Sequence, residues 1–466
     1  MKVIIIGCGY VGLSTGIVLA YIGHEVTLID RDEEKIAKLR AGELPIYEHG
    51  LQEVLRASAG RISFTDDWDS FDTNADAVVI AVGTPIGEGG GVDLTYVRAA
   101  VKEIGARVNG NLPVILLKST VPPGTGREMR ALLQQKLAER GMKSKVTLIS
   151  NPEFLREGQA LFDSFYPDRI VAGIDSHEEE AFLTALYQPV LLQDFIPPHG
   201  IPRPGNDRLP ALFATDLTSA ELIKYAANAF LAVKISFINE FANLAESVGA
   251  DITAVARGIG LDQRIGPQFL QAGIGWGGSC FGKDMRAILH AGKRHQSELP
   301  IVRAALEVNQ TQRELVAKKL QAKLNSLAGR TIGLLGLAFK PGTDDLRDAP
   351  SLDIIRQLVG GGARVKVYDP AAMERLACEH STLDVECCPT AESLFEGCDA
   401  VVLVTEWEEF LHLPYAELGE RMREKLLVDG RNVLDQKMLT DAGFTVCSVG
   451  RSDTGGGREW LGAVYK

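Results

Sequence analysis

Short apolar runs that alternate with helix-like stretches constrain the fold of this chain more than any other feature. Before residue 150 such runs occur at 2–6, 25–29, 75–82, 113–117 and 146–149. A second series occurs at 331–336, 364–368, 400–404 and 425–428. Because parallel strands need crossover connections, short buried strands that alternate with helices form parallel sheets. The pattern therefore predicts an α/β protein with two such sheets.

The first run leads directly into a glycine-rich turn. Gly7, Gly9 and Gly12 have the spacing G-x-G-x-x-G, and a helix-like stretch follows to about Gly23. Such glycines permit a tight turn, let a pyrophosphate approach the backbone and let the helix pack on the strand. Asp30 ends the next predicted strand, where a carboxylate accepts a hydrogen bond from a ribose 2′-OH. The sequence predicts an NAD site, in which the 2′-phosphate of NADP would meet an unpaired carboxylate.

A second glycine-dense segment, 273–284, contains one thiol, Cys280. If the chain after Cys280 starts a helix, the unsatisfied N–H groups of that helix favour the thiolate. Asp284 would then lie on the same helix face, four residues later. A buried structural cysteine is the alternative for an isolated thiol. The predicted hydride-acceptor site elsewhere in the chain favours a catalytic nucleophile.

Two further pairs have a spacing of four residues. Lys224 and Asn228 lie in the apolar stretch 216–249, which predicts a long helix that bridges domains or forms a subunit interface. A cation and an amide on one helix face suit a developing oxyanion, or they are simply a satisfied helix face. Glu153 and Glu157 follow a predicted strand, where they could move protons or position water, or complement a helix dipole.

Composition restricts the classes of function. A net charge of −12 disfavours nucleic-acid binding and means that local cations must hold an anionic substrate. No stretch approaches the roughly 20 apolar residues of a membrane helix, and the first run is a core strand rather than a signal peptide. The seven cysteines lack a metal-like spacing, and their odd number argues for reduced thiols. We expect a cytoplasmic enzyme without a metal, a nucleic-acid partner or a membrane partner.

Two segments depart from a simple repeat of the α/β pattern. The segment 189–210 is rich in Pro, Gly and polar residues, which predicts a linker or surface excursion. In the second series, Ala338 stands where a glycine would fall, although Asp369 follows the second strand as Asp30 does in the first. A nucleotide other than a full dinucleotide is therefore plausible for that series.

The motifs occur in the order seen in the UDP-glucose/GDP-mannose dehydrogenase family, which the chain resembles over nearly its whole length. They are 7–12, 83–85, 119–125, 151–158, 224–228, 262–266, the Cys280 loop and 339–347. The resemblance implies two Rossmann-like, doubly wound domains joined by a long central helix and a helical dimerisation region. The implied domains are an NAD-binding domain at 1–205, a central domain at 206–328 and a UDP-sugar-binding domain at 329–466. Trp276 departs from the family, where a different aromatic residue is common.

The resemblance is strongest to members that oxidise the C6 alcohol of UDP-glucose to a carboxylate with two NAD. It implies a homodimer with a shared active site, in which Arg264 reaches the substrate of the partner subunit. Cys280 resembles the nucleophile that captures an aldehyde as a thiohemiacetal, which then becomes a thioester. The implied catalytic residues are Cys280, Lys224, Asn228, Asp284, Thr120 and Glu157.

The resemblance also implies two sets of binding residues. The implied cofactor-binding residues are Gly7, Gly9, Tyr10, Val11, Gly12, Asp30, Lys35, Gly83, Thr84, Pro85, Ser119, Thr120, Glu157, Lys283 and Arg347. The implied substrate-binding residues are Glu153, Phe154, Leu155, Arg156, Lys224, Asn228, Arg264, Phe269, Gly273, Gly277, Cys280, Phe339, Lys340 and Arg431.

The sequence is compatible with three functions. The first is oxidation of UDP-glucose, and the second is the same cysteine chemistry on GDP-mannose or a UDP-N-acetylhexosamine. Selectivity between these substrates depends on pocket shape. The third is a non-catalytic scaffold that responds to NAD. The presence of Cys280, Lys224, Asn228 and Asp284 argues against a scaffold, because a binding module needs none of these residues.

Overall fold

The computed structural model describes residues 1–205 and 208–453. The described chain packs into two compact units. Unit 1 comprises Met1–Ala227 and Arg286–Ser297, and unit 2 comprises Asn228–Met285 and Glu298–Lys466. The three domains expected from the sequence stay a prediction, and the part of the third domain after residue 453 lies outside the described residues.

Unit 1 is built on an eight-stranded sheet of order β3-β2-β1-β4-β5-β6-β7-β8. Its strands are β1 (Lys2–Ile6), β2 (Glu25–Ile29), β3 (Ile62–Thr65), β4 (Ala77–Ile80), β5 (Val114–Leu117), β6 (Leu148–Ser150), β7 (Arg169–Gly173) and β8 (Ala211–Thr215). Neighbours are parallel except β6 and β7, which are antiparallel. Every residue of β4 is buried, as expected for an apolar run inside a parallel sheet.

The helices of unit 1 follow the strands in sequence. They are α1 (Tyr10–Tyr21), α2 (Glu33–Arg40), α3 (Leu51–Ala57), α4 (Thr95–Arg107), α5 (Thr125–Glu139), α6 (Ala160–Phe165), α7 (His177–Leu192) and the first part of α8 (Leu217–Val248). Local sequence fixes several starts: the Asp32 side chain accepts from the Lys35 N–H at α2, and the Ser176 side chain accepts from the Glu179 N–H at α7. Such side-chain caps satisfy N–H groups that have no partner within the helix.

The segment 189–210 differs from its prediction. Pro189 lies inside α7, which continues to Leu192, so the prediction of a linker is wrong for its first residues. The described residues of the following stretch, 193–205 and 208–210, form neither helix nor strand. Phe195 nevertheless packs 5.2 Å from the Phe165 ring, and Ile201 is buried. Apolar side chains therefore fix this stretch against unit 1, and β8 then extends the sheet.

Unit 2 is built on a six-stranded parallel sheet of order β11-β10-β9-β12-β13-β14. Its strands are β9 (Thr331–Leu335), β10 (Arg364–Tyr368), β11 (Glu386–Cys387), β12 (Ala400–Leu403), β13 (Leu426–Asp429) and β14 (Thr445–Ser448). The helices that begin after α8 are α9 (Ile252–Gly260), α10 (Phe281–Arg294), α11 (Pro300–Gln312), α12 (Leu315–Leu324), α13 (Pro350–Gly360), α14 (Met373–Glu379), α15 (Ala391–Leu394), α16 (Glu408–Leu411), α17 (Tyr415–Gly419) and α18 (Gln436–Asp441). The predicted α/β class with two parallel, Rossmann-like sheets is confirmed.

Two helices contribute residues to both units. α8 passes from unit 1 to unit 2 after Ala227, and α10 returns to unit 1 at Arg286. Within unit 1, the His290 ring nitrogen Nδ1 lies 3.1 Å from the Gly89 carbonyl oxygen. Neither unit is therefore one continuous stretch of chain.

The part of α8 in unit 2 has an unusual surface. Large apolar side chains along it are 42 to 68% exposed: Phe230, Phe237, Phe241, Leu244 and Val248. Their spacing of three, four or seven residues places them on one helix face. Among the described residues, no helix combines the length and apolar character needed to cross a bilayer.

Candidate active site

The first glycine turn is closed where it meets the sheet and open on its other side. A Cβ on Gly7 would lie 2.7 Å from the Ala81 carbonyl oxygen, and a Cβ on Gly12 would lie 1.9 Å from the Gly7 carbonyl oxygen. A Cβ on Gly9 would meet no atom within 4 Å. Open space therefore lies over the Gly9 backbone at the start of α1, where Tyr10 and Val11 follow. This shape fits a pyrophosphate that approaches the main chain.

Asp30 lies beside this turn, but its carboxylate is not unpaired. Its Oδ2 atom accepts from the Cys8 N–H at 2.7 Å and forms an ion pair with Lys35 Nζ at 3.3 Å. Its Oδ1 atom accepts from the Asp32 N–H at 3.1 Å. The expectation that a 2′-phosphate would meet a free carboxylate is wrong, because helix α2 places the Lys35 ammonium there. The structure does bring the predicted cofactor residues Asp30 and Lys35 together.

Two more predicted cofactor loops begin at neighbouring strands. Gly83, Thr84 and Pro85 follow β4, while Ser119 and Thr120 follow β5. The Ser119 hydroxyl donates to the Val82 carbonyl oxygen at 2.7 Å and so joins the two loops. Because β1, β4 and β5 are adjacent and parallel, their following loops share one edge of the sheet, where such sheets bind ligands.

The loop after β6 carries a buried ion pair. Glu153 Oε1 lies 3.1 Å from Lys224 Nζ, and both side chains are less than 10% exposed. Burial raises the pKa of Glu153, but the Lys224 ammonium, the Leu155 N–H and Lys118 together lower it below its usual value. The pair is therefore ionised, and the carboxylate holds the Lys224 ammonium in place.

Phe154 and Arg156 of the same loop have different surroundings. The Phe154 ring lies 5.3 Å from Lys224 Nζ and 3.9 Å from the Arg169 guanidinium carbon, both cation–π distances. The Arg156 side chain is exposed and forms an ion pair with Asp163 of α6 at 2.6 Å. Phe154 thus lies beside the buried ion pair, whereas Arg156 makes a surface contact.

Cys280 immediately precedes α10, as the sequence predicted. The Asp284 N–H donates to the Cys280 carbonyl oxygen at 2.8 Å, which is the first helical hydrogen bond. The thiol is partly exposed, and its Sγ atom lies 3.5 Å from the Ser279 hydroxyl oxygen. Its position at a helix start favours the thiolate.

Asp284 joins two other candidate residues. Its Oδ2 atom accepts from the Asn228 amide at 2.7 Å, and its Oδ1 atom accepts from Lys283 Nζ at 2.7 Å. Asp284 is only 2% exposed. Both oxygens therefore accept from donors, one of which is the Lys283 ammonium. The Asp284 side chain thereby orients the Asn228 amide.

The glycines of the Cys280 loop are required by close packing. A Cβ on Gly277 would lie 2.3 Å from the Asp348 carbonyl oxygen, and one on Gly273 would lie 2.8 Å from the Gly430 carbonyl oxygen. Gly278 has a φ of +90°, and a Cβ there would lie 2.7 Å from the Phe339 ring. Arg431 also holds the loop, since it donates to the Gly275 carbonyl oxygen at 3.0 Å. The predicted substrate residues Gly273, Gly277, Phe339 and Arg431 are thus all part of this packing.

Sequence reasoning missed the buried amides that fix the same loop. Asn309 accepts from the Trp276 N–H at 2.8 Å and donates to the Trp276 carbonyl oxygen at 3.0 Å. Asn239 accepts from the Gly273 N–H and Gln312 donates to the Gly273 carbonyl oxygen, both at 2.8 Å. Asn309 and Gln312 belong to a polar run at the end of α11, which by pattern alone resembles a solvated helix end.

The remaining candidates in unit 2 lie nearer the surface. The Arg264 side chain is 89% exposed and pairs with Asp262 at 2.6 Å. Phe269 has a φ of +63°, a backbone conformation that is strained for a bulky residue. The Lys340 ammonium lies 5.5 Å from the Phe339 ring, and Arg347 pairs with Asp345 at 2.6 Å. Lys283 and Arg347, which were assigned to the cofactor, are residues of unit 2, whereas the other cofactor candidates belong to unit 1.

All seven cysteines are free thiols. Burial raises the pKa of Cys8, in the first glycine turn, to about 12, which fits a thiol that only packs. Burial raises the pKa of Cys398 and Cys447 to about 12 as well. Cys280 differs from these three in its partial exposure at the start of a helix.

Comparison with known proteins agrees with this geometry. Three models of the UDP-glucose/GDP-mannose dehydrogenase family match the chain: the NAD binding domain at residues 1–191, the central domain at 218–311 and the UDP binding domain at 333–436. UDP-glucose 6-dehydrogenase of Rhizobium meliloti is 43% identical over 459 residues, which is 97% of this chain and 100% of the relative.

Solved structures are similar over nearly the whole chain. A UDP-glucose dehydrogenase from the hyperthermophilic archaeon Pyrobaculum islandicum has a TM-score of 0.81 and 38% identity, covering 93% of this chain and 94% of the other. A UDP-D-ManNAc dehydrogenase from Pyrococcus horikoshii has a TM-score of 0.81 and 27% identity, covering 97% of this chain and 99% of the other. This chain belongs to the UDP-glucose/GDP-mannose dehydrogenase family.

Proposed function

We propose that this enzyme oxidises the C6 alcohol of UDP-glucose to the carboxylate of UDP-glucuronate. The main support is the 43% identity, over the full length of the relative, with a UDP-glucose 6-dehydrogenase. The position of Cys280 at the start of α10 supplies the nucleophile for this chemistry. When bound at the first glycine turn, NAD supplies the hydride acceptor for each of two oxidations.

The thiol of Cys280 carries the substrate between the two oxidations. After the first oxidation, Sγ bonds to the aldehyde carbon, and the carbonyl oxygen takes a proton to give a thiohemiacetal. Loss of a second hydride and of the hydroxyl proton leaves a thioester. Water then adds to C6, the C6–S bond breaks, and the thiol returns to Cys280. Each turnover consumes one water and releases two hydrides and three protons.

The surrounding residues have separate roles in this proposal. Lys224, held by Glu153, and the second amide hydrogen of Asn228 stabilise the oxyanions. Asp284 orients Asn228, while Thr120 and Glu157 position water and protons. The other candidate residues bind cofactor or substrate as the family resemblance implies.

Removal of the thiol tests the mechanism. Wild-type enzyme should release two NADH per UDP-glucose with little free aldehyde. Cys280→Ala should lower acid formation at least about a thousandfold, because the covalent acceptor is lost, while NAD and UDP-glucose still bind. Cys378→Ala, at an exposed thiol, is the matched control. Acid formation by Cys280→Ala at a near wild-type rate would disprove the covalent route.

A substrate panel tests the sugar. We expect kcat/KM for UDP-glucose to exceed the values for GDP-mannose and UDP-N-acetylmannosamine at least about a hundredfold, since unpaired polar groups penalise the wrong substrate. Comparable values, or a preference for another sugar nucleotide, would replace UDP-glucose with a sister activity. NADH production from each compound provides the measurement.

We further propose a homodimer in which α8 packs against a second copy through its exposed apolar face. Contiguous exposed apolar side chains mark interaction surfaces, and Leu261, close to Arg264, is 79% exposed. Arg264 then contacts the substrate of the partner subunit. The active form should sediment as a dimer, and Phe237→Glu should shift it towards monomer.

A subunit-exchange experiment tests the shared site. Arg264→Ala and Cys280→Ala are each impaired at all their sites, but a mixed dimer contains one intact site if Arg264 acts across the interface. Recovery of activity only after exchange supports sharing. Absence of recovery after demonstrated exchange would place Arg264 in its own subunit's site or outside any site.

We also propose a cytoplasmic location, which the free state of all seven cysteines supports, because reducing compartments keep thiols free. Fractionation of cells that express the tagged chain tests this. Recovery of the chain outside the cytoplasmic fraction would contradict it.

A further inference from the structure

A buried carboxylate outside the known motifs joins two parts of the candidate site. Glu48 lies in the loop between α2 and α3 and is 8% exposed. The Tyr10 hydroxyl donates to Glu48 Oε2. The Gly158 N–H donates to the same oxygen at 2.7 Å and lies 2.6 Å from the Tyr10 hydroxyl oxygen. One carboxylate oxygen thus contacts the start of α1 and the end of the loop 151–158.

The carboxylate also lies near the start of the helix that follows this loop. The N–H groups of Ala160 and Leu161, in the first turn of α6, lower the pKa of Glu48. The N-cap residue of α6, Gln159, makes no side-chain cap of its own. Because the hydrogen-bond partners Tyr10 and Gly158 come from two different segments, Glu48 fixes the positions of these segments relative to each other.

The protonation states agree with these contacts. Burial raises the pKa of Glu48, and the hydrogen bonds from Tyr10, Gly158, Leu161 and Ala160 oppose that shift. Burial and the nearby Glu48 charge raise the pKa of Tyr10. Tyr10 therefore remains the proton donor in this pair, and hydrogen bonds to a charged acceptor are stronger than neutral ones.

The hydrogen bond of the Gly158 N–H restrains the backbone beside Glu157. The Glu157 carbonyl and the Gly158 N–H belong to one planar peptide group. Gly158 has a φ of +77°, a conformation that glycine adopts readily. The hydrogen bond from Gly158 to Glu48 therefore fixes the peptide plane next to Glu157. Glu157 is also close enough to raise the pKa of Tyr10 through its charge.

We propose that Glu48 is a positioning residue that holds Glu157 for hydrolysis of the Cys280 thioester, an inference that rests on the proposed function. In this step the water oxygen bonds to C6, one water proton passes to Glu157, the C6–S bond breaks, and sulfur leaves as the thiolate. Glu48 touches neither water nor substrate. It acts by fixing the backbone beside Glu157.

Pre-steady-state kinetics can separate this role from a general role in folding. In Glu48→Ala, we expect a burst of two NADH per active site, followed by a steady-state rate at least about tenfold below wild type. Intact-mass measurement should then show the sugar-nucleotide acyl group on Cys280. KM for UDP-glucose and for NAD should change by less than about threefold, since Glu48 is not among the residues assigned to either ligand.

Two other variants refine the test. Glu48→Gln keeps one acceptor oxygen, so its hydrolysis rate should lie between those of wild type and Glu48→Ala. Glu53→Gln on α3, at an exposed glutamate, is the matched control and should behave as wild type. If Glu48→Ala does not fold, Tyr10→Phe removes one contact of the carboxylate and should still show partial accumulation of the acyl group.

Different results would contradict the positioning role of Glu48 and the proposed function of the enzyme. Lower turnover of Glu48→Ala without acyl accumulation, or with raised KM values, would overturn the positioning role and leave a structural one. The same conclusion holds if Glu48→Ala fails to fold and Tyr10→Phe shows no accumulation. Failure of wild-type enzyme to release two NADH from UDP-glucose would overturn the proposed function itself, and the wild-type measurement alone reveals that failure.

Discussion

Asp30 and Asp369 occupy matching places in the two sheets, yet their surroundings differ. Each follows the second strand of its sheet and accepts from the glycine turn after the first strand. Asp30 is 13% exposed and accepts from Cys8, Asp32 and Lys35. Asp369 is 1% exposed. It accepts from five donors, the N–H groups of Leu337, Ala338, Ala371 and Ala372 and the indole N–H of Trp407.

The difference shows that a motif position predicts a ligand contact only when the side chain remains accessible. Every oxygen of Asp369 serves the fold, so a nucleotide at the second sheet must use other groups. The turns after β1 and β9 also differ in the space above their backbone. Gly9 leaves this space open in the first turn, whereas Ala338 carries a side chain at the matching place in the second. A dinucleotide site at the first sheet and a UDP-binding domain at the second agree with this contrast.

Asp369→Ala should lower the free energy of unfolding more than any other substitution in this comparison. It leaves five donors without their acceptor, four of them backbone N–H groups, and we expect a loss of on the order of 3 to 5 kcal/mol in the free energy of unfolding. Asp30→Ala, at a more exposed site, should cost only about 1 kcal/mol. Urea unfolding measures both, with the exposed Asp384→Ala as control. Equal losses at the two sites would contradict the contrast.

Gly9→Ala should make the first turn resemble the second. Gly9 has a φ of −79°, which alanine adopts without strain, so the free energy of unfolding should stay within about 0.5 kcal/mol of wild type. The added Cβ would occupy the space over the backbone, and we expect Kd for NAD to rise about a hundredfold. Titration calorimetry provides the measurement. Unchanged affinity would mean that the pyrophosphate binds elsewhere, and Ala338→Gly is the matched control.

Asp30→Ala should alter cofactor selectivity. Removal of the carboxylate frees the Lys35 ammonium to meet a 2′-phosphate, so the ratio of kcat/KM for NADP to that for NAD should rise about tenfold. The double variant with Lys35→Ala should lose this gain, because the cation is then absent. A gain that persists in the double variant would show that repulsion by Asp30 alone excludes NADP.

Trp407→Phe should have the smallest effect. It removes one of the five donors to Asp369, and we expect a loss of about 1 kcal/mol in the free energy of unfolding. The four backbone donors remain, so the carboxylate stays buried and paired. A loss as large as that of Asp369→Ala, again by urea unfolding, would show that the indole contact dominates the site.

Sequence reasoning predicted strands such as β4, β5 and β12, whose residues are all apolar, because such runs leave a clear pattern. It missed β3, where Ser63 and Thr65 interrupt the apolar residues, and β8, which follows a Pro-rich stretch. It also missed β7, β11 and β14. Short or mixed strands gain their stability from neighbours in the sheet, which a linear pattern does not reveal.

Much of the candidate site was predictable because its residues stand at fixed places after strands or at a helix start. Cys280 and Asp284 could be placed in this way. The side-chain contacts within the site could not be predicted. Lys35 reaches Asp30, and Asn228 reaches Asp284, through side-chain conformations that depend on packing. Glu48 gave no sequence signal, since its partners are 38 and 110 residues away.

The discontinuity of the two units has a consequence for synthesis on the ribosome. Domains fold as units while the chain emerges, but unit 1 includes Arg286–Ser297 as well as Met1–Ala227. The Cys280 loop therefore leaves the ribosome before the last part of unit 1 does. During that interval the future nucleophile belongs to a unit whose sheet, β9–β14, has not yet been made.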